Sequence, residues 1–246
     1  MGTKTRKQRE IAERERLVLD VAAEMVAEKG YLGLTMDRVA AATEYSKGTI
    51  YQHFSNKEEI LAALAVESAE RRVALFEKAA TFAGKPRERM AAIGVAADLF
   101  VQLHPLHFRC ETVIGAHSIR DKASEKRIQR LEDSEFGCMN VVLGLVRDAV
   151  AQGDLQYEDP TTPQTIVLGL WSMASGYHQM AASEDGRLER KLGLDAQDGN
   201  ALFACYQRYL DGFGWAPLSH EWDYAESVER ARREVFAEEI ARAGRT

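Results

Sequence analysis

Residues Thr35–Phe54, TMDRVAAATEYSKGTIYQHF, read as two short helices joined by a tight turn. Over Met36–Ala42, the residues Met36, Val39 and Ala40 share one face at the i, i+3, i+4 spacing of a buried stripe. Thr35 stands where an N-cap belongs, its hydroxyl placed to accept from an exposed amide of the first turn. Thr43-Glu44-Tyr45 makes the turn. Ser46 caps a second helix, Lys47–His53, which turns Ile50 and Phe54 inward. Lys47, Thr49, Tyr51, Gln52 and His53 are left facing outward, all donors or mixed donor-acceptors, and only Lys47 carries a full charge. A short helix with small or polar residues near its N-terminus suits the major groove of DNA.

Working outward, the segment before this stretch predicts a helix from about Arg14 to Lys29. Val18, Val21, Ala22, Met25 and Val26 form its stripe and Gly30 stops it. Residues 1–13, with Lys4, Arg6, Lys7 and Arg9, read as a flexible basic arm. After the stretch, Ser55-Asn56 caps a helix over Lys57–Ala80. Its Ile60, Leu61 and Leu64 face the small core, while Val73, Leu75 and Phe76 must pack elsewhere. Further helices are expected from Pro86 to Leu103, Leu106 to His117, Ser124 to Gln152, Pro163 to Ala182 and Asn200 to Phe213. Residues 183–198 read as a loop or broken helix, and Ser219 as the cap of a last helix reaching Ala243. No strand pattern or repeat emerges, so the fold class is all-α. The domains expected are 1–56, a helix-turn-helix with its basic arm; 57–213, a larger helical domain; and 214–246, a helical extension.

The charge divides along the chain. The 246 residues carry a net charge of −6, but residues 1–60 balance at 10 basic and 10 acidic side chains. Within residues 1–16 the count is 6 basic to 3 acidic, which puts a positive end beside the helix-turn-helix. Cys110, Cys138 and Cys205 are odd in number and widely spaced, so a cytoplasmic, reducing location fits better than a disulfide framework. The charged N-terminus has no secretory h-region, and no apolar run approaches the ~20 residues of a membrane span.

Val39-Ala40, Ser46-Lys47-Gly48-Thr49-Ile50-Tyr51, His53-Phe54 and Asn56-Lys57-Glu58-Glu59-Ile60-Leu61 resemble the N-terminal signature of the TetR family of transcriptional repressors. Ala27-Glu28-Lys29-Gly30-Tyr31 and Leu34-Thr35 fit the same signature. One departure is in the turn, where the family has a small residue, Gly and an aliphatic residue and this chain has Thr43, Glu44 and Tyr45. If position 44 requires positive φ, Glu costs about 1 kcal/mol relative to Gly. The resemblance implies that Lys47, Thr49 and Gln52 approach bases, that Thr35, Tyr45, Tyr51, His53 and Lys57 hold phosphates, and that Ser46 and Gly48 belong to the same surface. It also implies double-stranded operator DNA as partner, a homodimer built on the last two apolar helices, and a small-molecule effector, with no catalysis.

The candidate effector pocket is lined by Leu99, Leu103, His107, Phe108, Glu111, Met139, Trp171 and His178: apolar side chains with a few polar groups. His104, His107, Cys110, Glu111 and His117 invite a metal reading, His107 and Glu111 being i, i+4. Their spacing does not define a converging ligand set, and no cofactor or metal is expected. Two alternatives stand beside the repressor: a helical metalloprotein or enzyme using the His107–Glu111 region, and an interaction protein with this fold that does not bind DNA.

Overall fold

The structure, a computed structural model, describes residues 6–115, 121–183, 193 and 200–244. Its described elements are helices: α1 (Arg6–Gly33), α2 (Met36–Thr43), α3 (Lys47–His53), α4 (Lys57–Ala80), α5 (Pro86–Leu103), α6 (Pro105–Gly115), α7 (Glu125–Gln152) and α8 (Pro163–Ser183), then α9 (Asn200–Gly212), α10 (Tyr224–Glu234) and α11 (Ala237–Ala243). The all-α class is as expected. Pro86, Pro105 and Pro163 each stand at a helix start, where a missing N–H costs nothing. Lys4, His117 and residues 184–192 and 194–198 fall outside the described residues.

Two boundaries differ from expectation. Helix α1 begins at Arg6, so the described part of the basic arm is helical. RKQREIAE contains no Gly, Pro or β-branched residue except Ile11, and Arg6 pairs with Glu10 one turn on at 2.9 Å. The last helix is broken. Ser219 does not cap it but donates to Asp211 Oδ2 at 2.5 Å, and Asp223 caps α10 instead, accepting from the Glu226 N–H at 3.0 Å. The break at Val235–Phe236 follows the burial of Phe236, which has no exposed surface.

The chain forms two compact units. The first comprises the described residues of Met1–Glu70 and His104–Glu135. Val18, Leu19, Ala22, Ala23 and Val26 of α1 meet Leu34, Val39, Ala40, Ile50, Phe54 and Ile60–Leu64 in one core. Gly30 adopts φ 65°, so the helical run ends there as Gly at C′ requires and the chain turns toward Leu34. Cys110 of α6 belongs to this core, fully buried against α1 with its Sγ 3.9 Å from the Ala23 carbonyl. Helix α6 thus closes the first unit, a placement that no local pattern announces.

The second unit comprises Arg71–Leu103 and the described residues of Phe136–Thr246. Ile166, Val167 and Leu170 of α8 and Leu202 and Leu210 of α9 are buried within the chain itself. Trp171, Ala174 and Tyr177 of α8 and Phe203 and Tyr206 of α9 stay partly exposed, so the two apolar helices, on which the resemblance would build a dimer, bury only part of their stripes within the protomer. Gly169 permits a close crossing of α8 and α9, because a Cβ there would lie 1.9 Å from the Tyr209 hydroxyl. That hydroxyl donates to the Ile166 carbonyl at 3.2 Å. The segment after α9 docks on this unit. Lys78 pairs with Glu239 at 2.8 Å, Ser227 donates to Glu88 Oε1 at 2.9 Å, and Arg87 holds the loop before α10. The 214–244 segment is therefore packed structure with its own buried side chains, Trp215, Tyr224 and Phe236.

Candidate functional site

Local capping builds the helix-turn-helix. Thr35 takes an extended conformation and accepts from the Arg38 N–H at 3.3 Å. Ser46 does the same for α3, accepting from the Thr49 N–H at 3.1 Å, and its hydroxyl also shares a 2.9 Å bond with that of Thr49. Between them Glu44 ends α2 in the left-handed region at φ 57°. Position 44 is therefore one where Gly would be unstrained and Glu is not. Thr43, which no periodicity marked, is buried and donates back to the Val39 carbonyl at 2.8 Å.

With Ile50 and Phe54 buried, α3 exposes Lys47, Gly48, Tyr51 and Gln52 together, and Thr49 is half-exposed. Tyr51 is 52% exposed, large for an aromatic side chain with no apolar reason to face water. Lys47 forms a solvent-exposed ion pair with Asp37 of α2 at 2.8 Å. The hydrogen bond to Asp37 raises the Lys47 pKa, so the ammonium is fully charged at neutral pH. Asp37 was not singled out in the sequence, since its partner lies across the turn.

The remaining candidates sit differently. Tyr45 is half-buried against the core of the unit. His53 is turned inward, its side chain 9% exposed and its Nδ1 3.5 Å from Glu15 of α1. Lys57 lies over the Tyr31 ring, 3.6 Å from its centroid, and donates to the Tyr31 carbonyl at 3.3 Å. Tyr31 in turn donates to Glu58 at 2.6 Å. That bond, with burial, raises the Tyr31 pKa. Burial pulls Glu58 upward, but the Tyr31 bond and the charges of Lys122 and Lys57 outweigh it, and its pKa falls. Asn56 caps α4, accepting from the Glu59 N–H at 2.8 Å. These contacts fix the start of α4 beside the recognition helix.

The second unit contains an apolar cavity of about 80 Å³. Its walls come from α4 (Phe76), α5 (Met90, Ile93), α7 (Val142), α8 (Leu170, Trp171) and α9 (Phe203, Leu210), with polar groups from Arg87, Tyr206 and Gln207. Of the eight pocket residues read from the sequence, Trp171 lines this cavity. Leu99, Leu103, Met139 and His178 belong to the same unit but not to its lining, and His178 pairs with Asp98 at 3.0 Å. His107, Phe108 and Glu111 belong to the first unit, where His107 faces Glu67 at 3.6 Å and Glu111 accepts from Ser68 at 2.5 Å. Arg87, Tyr206 and Gln207 escaped the sequence reading because their neighbours are far away in the chain. Among the described residues no three His, Cys, Asp or Glu side chains converge to hold a metal. Burial, with the charge of Glu111, pushes the Cys110 thiol up to about 12, so it is not a thiolate nucleophile.

A capped helix-turn-helix with a polar exposed recognition helix, followed by a helical unit with an apolar cavity, defines a DNA-binding regulator. Residues 18–64 match the model of bacterial regulatory proteins, tetR family. The fatty acid metabolism regulator protein of Bacillus subtilis (strain 168) is 25% identical over 140 residues, 56% of this chain and 69% of its own length. The HTH-type transcriptional repressor AcnR of Corynebacterium efficiens is 44% identical over 54 residues, 22% of this chain and 29% of its own. Among solved structures, the fatty acid degradation regulator FadR from Bacillus halodurans superposes with a TM-score of 0.64 at 16% identity, covering 86% of this chain and 98% of that one. The TetR family regulator PfmR from Thermus thermophilus gives 0.54 at 21% identity, covering 74% and 97%. Residues 18–64 are thus similar to the DNA-binding domain of the TetR family of transcriptional regulators, and the rest of the chain shares the helical fold of the solved structures.

Proposed function

We propose that the protein is a homodimeric repressor, without catalytic activity, that binds operator DNA through α3 and releases it when a small, largely apolar effector enters the cavity of the second unit. The observation that carries the first half is the exposed, polar face of α3 on a helix-turn-helix whose caps and core are complete. Gln52 is placed to read adenine bidentately and Lys47 to donate to guanine. Thr35, Ser46, Tyr51 and Lys57 supply positioning contacts to phosphate, with Tyr45 and His53 supporting the surface from its half-buried rim. Repression is supported by the names of the AcnR relatives.

The second half rests on the cavity. Its lining of Phe, Met, Leu and Trp suits a hydrophobic molecule, and the relatives and neighbours named for fatty acid metabolism or degradation support the same chemistry. Two recognition helices grip one face of B-DNA only at a spacing near 34 Å or a multiple. Helix α4 contributes residues to both units, which makes it the proposed lever between cavity and spacing. An effector that weakens operator binding ~10-fold must favour the non-binding conformation by about 1.4 kcal/mol. The dimer surface is proposed on the outward faces of α8 and α9, where Leu168, Ser172, Ala204 and Cys205 are exposed. The cytoplasm is the location that fits a DNA-binding regulator.

Pull-down from fragmented genomic DNA tests the reading. The purified protein should enrich a few fragments sharing a two-fold symmetric site. Uniform recovery of all fragments would contradict operator recognition, and effector candidates can then be screened by release from the enriched fragment.

A further inference from the structure

Arg87, in the first turn of α5, has a side chain with no exposed surface. One terminal nitrogen donates to the Trp215 and Pro217 carbonyls, the latter at 2.9 Å. The other donates to the Gln207 carbonyl at 3.1 Å, the Gln207 side-chain oxygen at 3.0 Å and Asp211 Oδ1 at 2.7 Å. The Tyr224 ring lies 4.7 Å from the guanidinium carbon. Charge and terminal nitrogens are thus matched within the protein. The Nε–H is different: it is buried and has no partner. Buried donors without partners are rare, and this one belongs to a side chain that lines the apolar cavity.

The other polar groups of the cavity are donors too. Gln207 commits its amide oxygen to Arg87 and keeps its NH2. Burial, with the charge of Asp98, raises the Tyr206 pKa, so its hydroxyl keeps its proton. Arg72 stacks over the Phe100 and Trp171 rings at 4.7 and 5.3 Å and does not line the cavity.

We infer that Arg87 Nε–H anchors the cavity's ligand, and that this ligand is an apolar molecule bearing an uncharged oxygen acceptor, such as a ketone or an ester. The inference rests on the effector reading of the cavity and specifies its chemistry. A carbonyl oxygen has two lone pairs, one for Nε–H and one for a second donor. A carboxylate would bring a second anion to a guanidinium already matched by Asp211, in a cavity with no other cation on its wall.

The test uses 15N-labelled full-length protein with 2-octanone and octanoate as probes, equal in carbon number and different in charge. Calorimetry gives the affinities, the Trp171 indole N–H resonance reports cavity occupancy, and the Arg87 Nε–H resonance reports the anchor. The expected result is that 2-octanone binds at least tenfold more tightly than octanoate and that the Arg87 resonance moves with occupancy. Occupancy by 2-octanone without movement of that resonance would overturn the anchor, as would octanoate binding equally well, and either leaves the effector cavity standing. If neither probe moves the Trp171 resonance, the effector reading of the cavity falls together with the anchor. Arg87→Lys keeps a cation for Asp211 and removes the Nε donor, so it should abolish the preference for 2-octanone. Should that variant fail to fold, the two probes on the unaltered protein decide the matter.

Discussion

The helix-turn-helix and the cavity unit are both helical, yet they are specified over different distances along the chain. In the first, the decisive bonds are three residues long: Thr35 to Arg38, Ser46 to Thr49, Asn56 to Glu59. In the second, one side chain, Arg87, joins α5 to residues 207, 211, 215 and 217. Short-range specification makes a reading head that can be recognised from a few dozen residues. Long-range specification makes a cavity whose chemistry exists only once the chain has closed. Conserving the backbone plan while changing such distant partners would alter the chemistry of the cavity without touching α3.

The largest effect should come from attacking the long-range side of this contrast. Leu170→Glu would place an unpaired carboxylate at a site 8% exposed, and should cost several kcal/mol and unfold the second unit. Leu168, 62% exposed on the same helix, should behave otherwise: Leu168→Glu leaves circular dichroism and melting unchanged but yields monomers in light scattering. A dimer that persists after Leu168→Glu places the two-fold surface elsewhere.

Arg87→Met comes next. It removes the cation that Asp211 faces at 2.7 Å and the donor to four other acceptors, and should lower unfolding free energy in urea by about 3–5 kcal/mol. A loss below about 1 kcal/mol would mean the clamp is incidental to the fold.

Acid should weaken both units. Burial pulls the Glu59 carboxyl upward, but the bonds from the Ser124 N–H and Arg127 outweigh it and its pKa is lowered. Asp211 follows the same pattern, with burial opposed by Ser219 and Arg87. A lowered folded pKa contributes stability that is present above the unfolded value and lost as pH falls through the folded one. Melting temperature should therefore drop as pH is taken below about 4. Glu59→Gln and Asp211→Asn should each flatten part of that drop. An unchanged profile in both variants would show that these pairs do not carry the acid sensitivity.

The smallest effect concerns the turn. Glu44 sits at φ 57°, so Glu44→Gly should stabilise the protein by up to about 1 kcal/mol and leave operator affinity unaltered. Destabilisation would mean that the Glu44 side chain compensates for its backbone.

These positions also show what could be read from the chain in advance. The caps at Thr35, Ser46 and Asn56, the stop at Gly30 and the inward Ile50 and Phe54 were legible because their causes lie within one helical turn. Helix α1 was read too short because charge in residues 6–13 was taken for flexibility, although residues of high helix propensity with an Arg6–Glu10 pair favour helix. Helix α6 was read as cavity wall from its Phe and His content, whereas Cys110 binds it to the first unit. Trp171 was the one pocket residue anticipated, and Arg87 and Gln207 were not, since an Arg in a first helical turn looks like solvated surface until residues 120 positions away reach it.

The central claim is that α3 reads base sequence while the start of α4 only holds backbone. Salt-dependent titration of Gln52→Ala and Lys57→Ala against the recovered operator and a scrambled duplex tests it most directly. Gln52→Ala should lose roughly 1–3 kcal/mol on the operator and nothing on the scrambled duplex. Lys57→Ala should weaken both alike and reduce the salt slope by about one. Equal losses on both duplexes for Gln52→Ala would contradict base reading by α3.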